Sequence, residues 1–155
     1  IIKKVATEFN GVEHRTEFVR ELNGVKFYNS SIDSSPNRTA ATLSMFDDKV
    51  ILIAGGKDKN SDYSSLGEHL YNKVKVLVLT GPTSEKIKNS LLKYDKGNEV
   101  EIIEAESFED AVKTAYEKAK EGDNVLLSPA STSYDRFKNF EQRGKLFKDL
   151  VNNLE

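Results

Sequence analysis

The chain has 155 residues, 37% of them hydrophobic and 31% charged, which suits one compact domain and excludes a disordered tail or a collagen-like repeat. Lys and Arg number 23 against 25 Asp and Glu, and a net charge of −2 lacks the basic excess that a nucleic-acid backbone demands. With no cysteine and only 2 His, disulfides and thiolate chemistry are removed and a zinc site is disfavoured, while no apolar run nears the ~18–20 residues of a membrane span.

These features lead us to expect a cytoplasmic domain with neither nucleic acid nor membrane as partner. The chain begins at Ile1 and its only methionine is Met45, so a piece of a longer polypeptide is expected, residues 1–9 being the tail of a joining segment. Residues 17–22 and 25–28 flank Asn23-Gly24, the dipeptide favoured in a type I′ turn, and predict an opening hairpin. Next come a hydroxyl-rich loop, Asn29-Ser30-Ser31-Ile32-Asp33-Ser34-Ser35-Pro36, and a helix start with Ser35 as N-cap and Pro36 at its first position.

The apolar runs 50–54, 74–79 and 125–127 read as strands buried on both faces, and the weaker run at 100–103 fits a further strand. Helical spacing lies between them at Ile87, Leu91 and Tyr94, and again at Ala111, Val112, Ala115 and Ala119; Ser107 with Asp110 forms a capping pattern and Gly122 marks a helix end. A last helix is expected to carry Phe137, Phe140, Phe147, Val151 and Leu154 on roughly one side. The sum is one α/β domain over residues 1–155. Its expected form is a three-layer Rossmann-like sandwich around a mostly parallel sheet of about six strands, one of them antiparallel.

In such a sheet ligands bind beyond the carboxyl ends of the strands. The loop at 29–36 is either a solvated turn with its cap or an anion site at a helix N-terminus. Gly55-Gly56-Lys57-Asp58-Lys59 is either a charged turn or a place where backbone and ammonium meet a carboxylate or phosphate. Neither P-loop nor Gly-x-Gly-x-x-Gly spacing occurs, Thr80-Gly81-Pro82-Thr83 reads as a turn before a helix cap, and no Gly-x-Ser-x-Gly elbow supports a hydrolase. No carboxylate pair can be singled out from the solvated acids, and no metal ligands are expected.

His14-Arg15-x-Glu17, Gly24-Val25, Asn29-Ser30-Ser31, Ser34-x-Pro36, Gly55-Gly56-x-Asp58-Lys59 and the long run from Leu127-Ser128-Pro129-Ala130-Ser131 through Ser133, Asp135 and Phe137-Lys138-Asn139-Phe140-Glu141 to Arg143-Gly144 stand in one order. Together they resemble the C-terminal domain of the Mur ligases, the last motif pointing to the D-glutamate-adding branch.

The resemblance implies a peptide-bond-forming ligase of peptidoglycan synthesis whose UDP-binding and ATPase domains are absent from this chain. It implies ATP and Mg2+ held mainly by that missing ATPase domain, and D-glutamate and UDP-N-acetylmuramoyl-L-alanine as substrates. For D-glutamate it implies Lys59 and Ser34 at the α-carboxylate, and Ser133 with the backbone of Asn139 and Phe140 at the side-chain carboxylate. It places His14, Arg15 and Ser30 near the nucleotide; Ser30 stands where many members carry Asp, and Ile32 replaces a frequent Lys. The fragment alone is expected to be inactive. The alternatives are a non-enzymatic α/β anion-binding module and an amino-acid ligase domain of the folylpolyglutamate-synthase kind.

Overall fold

The computed structural model describes residues 12–133 and 136–155; the expected joining segment at 1–9 and the motif position Asp135 lie outside the described residues. Strands β1 (Glu17–Leu22) and β2 (Val25–Asn29) form the hairpin. Its turn needs two left-handed residues, and Asn23 at φ 53° and Gly24 at φ 79° provide them. There follow α1 (Pro36–Leu43), β3 (Val50–Ala54), α2 (Leu66–Lys73), β4 (Val74–Leu79), α3 (Ser84–Leu92), β5 (Glu101–Glu104), α4 (Phe108–Lys118), β6 (Asn124–Leu127) and α5 (Phe140–Asn152).

The sheet order is β1-β2-β6-β3-β4-β5, parallel except for β1. Side chains alternate across it, so Leu52 and Ile51 enter different cores. One core joins Tyr28, Leu52, Leu77 and Leu126 to Leu43, Leu70 and Leu91 of α1, α2 and α3. The other joins Phe27, Ile51, Ile53 and Val125 to Val112 of α4 and to Phe147 and Val151 of α5. The continuous apolar runs are thus explained by helices covering both faces.

Three local expectations are corrected. Helix α3 stops at Leu92 and leaves Tyr94 44% exposed, outside the buried stripe of Ile87 and Leu91. Helix α4 stops at Lys118, and Gly122 (φ 96°) serves the return to β6, its N–H donating to Gly24 O at 2.8 Å. Phe140 leaves the apolar side of α5 and sets its ring edge-on to His14, centroids 5.9 Å apart.

Candidate functional site

The carboxyl ends of β2, β6, β3 and β4 release four loops toward one end of the sheet, and polar side chains tie these loops together. Asn29 ends β2; its Oδ1 accepts from Ser31 N–H at 3.1 Å, while its amide nitrogen donates to Glu17 Oε1 at 3.1 Å and to His14 Nδ1 at 2.9 Å. Nδ1 is therefore an acceptor, and the neutral ring carries its proton on Nε2. That nitrogen is buried without a hydrogen-bond partner, with Glu13 Oε2 3.6 Å away. Burial holds the imidazole below its ordinary pKa, against the opposing pull of Glu13.

Arg143 is only 2% exposed although it carries a charge. Its Nε donates to Ser31 Oγ at 3.0 Å, Nη2 to Ser31 O at 2.7 Å and Nη1 to Ser131 O at 3.0 Å; Ser31 Oγ in turn donates to Phe140 O at 2.7 Å. A planar fork of donors suits this work, because it reaches carbonyls on two separate loops at once. The next residue has to be glycine, since a Cβ on Gly144 would lie 2.1 Å from His14 Nδ1.

Across the site, the protons run in one direction. Tyr63 OH donates to Ala130 O at 2.8 Å, so Ser131 Oγ, 3.1 Å away, donates to Tyr63 and must accept from Thr83 Oγ1 at 2.8 Å. Thr83 in turn accepts from Gly56 N–H at 3.0 Å. The expected cap role for Thr83 is therefore not realised: α3 has no side-chain cap bond, and the hydroxyl fixes the glycine loop instead. Lys57 N–H donates to Thr132 O at 3.0 Å, which lays the lysine loop beside the segment after β6. Lys86 pairs with Asp58 at 2.5 Å and lowers that carboxyl's pKa, whereas Lys59 is exposed and makes no ion pair among the described residues.

Arg15 and Arg38 flank a cavity of about 290 Å³ walled by Thr16, Asp33, Ala41, Thr42 and Met45. Asp33 is buried, accepting from Thr42 Oγ1 and from Ser128 Oγ, both at 2.7 Å.

All eight residues singled out from the sequence lie at this end of the sheet or in the segment entering β1, whose start pairs with the end of β2. Ser34 is partly exposed, one residue before the cap of α1. Asn139 caps α5 by accepting from Gln142 N–H at 2.9 Å, so the first-turn N–H groups after it have no helical carbonyl to bind. Ser133 is buried, its carbonyl accepting from Phe137 N–H. Two positions are internal: Ser30 is fully buried with its Oγ accepting from Thr16 N–H at 3.1 Å, and His14 lies under α5.

A family model described as Mur ligase, glutamate ligase domain matches residues 14–131. The chain belongs to the Mur ligase family. This Mur ligase domain is 58% identical over 158 residues to the UDP-N-acetylmuramoylalanine–D-glutamate ligase of Ruminiclostridium cellulolyticum, covering 99% of the chain and 34% of that protein. It is 57% identical over 159 residues to the like-named protein of Acetivibrio thermocellus, with 100% and 34% covered. The Mur ligase domain thus spans a third of the length of these relatives.

Among solved structures it superposes on UDP-N-acetylmuramate-alanine ligase from Thermotoga maritima with a TM-score of 0.62 at 15% identity, covering 94% of this chain and 31% of that one. Folylpolyglutamate synthase from Mycobacterium tuberculosis gives 0.61 at 12% identity, with 87% and 32% covered. At such identities the likeness concerns the fold.

Sequence reasoning missed Asp33 as a site residue and gave Arg143 no role. Both are charged residues that hydropathy assigns to the surface; a signal lay in the density of Ser and Thr around them, which supplies the partners a buried charge requires.

Proposed function

We propose that this domain delivers the amino acid in an ATP-dependent ligase that joins D-glutamate to UDP-N-acetylmuramoyl-L-alanine in peptidoglycan synthesis. The observation that carries the reading is identity above one half, along the whole chain, to two ligases so named. The geometry is suited to it. Lys59 offers an exposed ammonium, Ser34 a hydroxyl beside the start of α1, and Ser133 with the N-terminus of α5 a second polar end, so a dicarboxylate has a donor group for each of its ends.

The reaction forms an amide bond between the amine of D-glutamate and the alanyl carboxyl, activated as an acyl phosphate. In this reading the domain contributes position and positive charge, with no acid or base of its own.

The sequence has no P-loop to cradle a triphosphate. Arg15, exposed at the cavity mouth, is suited to meeting a phosphate. We therefore place ATP and Mg2+ mainly on a domain outside this chain, with the UDP-sugar held by another.

Titration of the isotopically labelled chain with D-glutamate, L-glutamate and inorganic phosphate, followed by backbone-amide NMR, tests the proposal. D-Glutamate should move the resonances of Lys59, Ser133 and Phe140 selectively. Equal shifts with L-glutamate, or shifts with phosphate alone centred on residues 34–37, would point to a general anion module. The chain alone, given ATP, D-glutamate and the UDP-sugar peptide, should form no amide.

A further inference from the structure

Among the described residues Asp95 and Asp33 are both buried, and they are held differently. Asp95, 2% exposed, accepts from Glu99 N–H and Val100 N–H, a local staple within its own loop. Asp33, 4% exposed, accepts instead from hydroxyls of two distant elements: Thr42 in α1, and Ser128, which follows β6 and is 95 residues away. Ser128 Oγ also lies 2.9 Å from Thr39 Oγ1, a second link between α1 and the segment after β6 beside the one the carboxylate makes.

Its main chain acts in the same place, Asp33 O accepting from Ala130 N–H at 3.0 Å. Ala130 has φ 57°, a left-handed conformation that a residue with a Cβ keeps only when its neighbours hold it. Asp33 precedes Ser34, and Ala130 lies three residues before Ser133.

We propose that Asp33 is a positioning residue for the amino-acid substrate. Its carboxylate and carbonyl fix the Ser34 turn against the segment 128–133, and so set the distance between the two groups that grip the two carboxylates of one D-glutamate. This rests on the function proposed above. A carboxylate is used because a charged acceptor takes two short hydroxyl bonds more strongly than a neutral one. Its burial raises the acid's pKa, and the bonds from Ser128 and Thr42 oppose that rise.

The test is steady-state kinetics of the complete ligase carrying this domain, each substrate varied in turn, for Asp33→Ala, Asp33→Asn and Thr42→Val. Asp33→Ala should raise KM for D-glutamate about tenfold, with KM for ATP and for the UDP-sugar within about twofold. Asp33→Asn, which keeps an acceptor, should recover part of the loss, and Thr42→Val, which removes one of its hydroxyl donors, should show a smaller change of the same kind.

In a Ser34→Ala background, Asp33→Ala should add little, because the two act on one contact. KM values rising together for all three substrates, or full additivity in the double variant, would reduce Asp33 to a general structural role. Should Asp33→Ala not fold, Thr42→Val and Asp33→Asn decide by the same readout. If the unsubstituted ligase does not use D-glutamate, the proposed function falls and this inference with it; if it does and KM for D-glutamate is unmoved in every variant, only the assignment of Asp33 falls.

Discussion

Arg143 and Gly144 are neighbours on α5 and act oppositely on the same place: one fills it with donors, the other vacates it for a ring. Replacing Arg143 by Lys keeps the charge but loses the fork that spans Ser31 and Ser131. Urea unfolding should show a loss of about 2–4 kcal/mol, since buried acceptors are left unmatched; a loss below about 0.5 kcal/mol would contradict the clamp. Gly144→Ala would ordinarily stabilise a helix interior by about 1 kcal/mol. Here the added Cβ meets His14 Nδ1, and the same assay should instead show a loss of about 1–3 kcal/mol.

His14 itself titrates. Its folded pKa lies below the ordinary 6.5, so its contribution to stability is present above that value and lost as pH falls through the depressed one. Asn tolerates the φ of 67° at this position and does not titrate. The stability difference between the native chain and His14→Asn should therefore shrink from about pH 8 to about pH 5. A constant difference would mean that the ring is not held neutral.

At the level of elements, two helix starts that look alike in sequence behave differently. Ser107 accepts from Asp110 N–H at 3.0 Å, and Ser107→Ala should cost about 1 kcal/mol in thermal unfolding. Thr83 looks like a cap but spends its hydroxyl on Gly56 and Ser131, so Thr83→Val should broaden or shift the amide resonances of the Gly55 to Lys57 loop while leaving α3 intact. Unchanged loop resonances would dismiss the hydroxyl chain.

The difference marks what was legible. β3, β4 and β6 announce themselves by unbroken Val, Ile and Leu, and the hairpin by Asn23-Gly24, because those preferences are local. The stop of α3 before Tyr94, the turn of Phe140 toward His14 and the burial of Asp33 and Arg143 are settled by partners more than ten residues away, or by what covers a face, and no local pattern encodes them. Of the candidate site, the loops at 29–36 and 55–59 were legible from their place after strands, and the resemblance named eight residues, six of them in the segments after β2, β3 and β6 and two, His14 and Arg15, before β1. It did not show that Ser30 and His14 face inward, because their partners Thr16 and Asn29 sit on the neighbouring strand ends.

For the whole molecule, the strand order has a consequence for assembly. β6 occupies the middle of the sheet between β2 and β3, yet it is the last strand in the chain, so the hairpin and the β3-β4-β5 half stay unlinked until residues 124–127 slot between them. Closing such long-range pairs makes folding comparatively slow, and the inserted strand brings with it the segment 128–133 that completes the candidate site. The exposed turn at 120–122 is therefore a natural place to divide the chain. Two polypeptides meeting there should each lack a cooperative melt and regain one on mixing, the smaller acting as a keystone dropped in last.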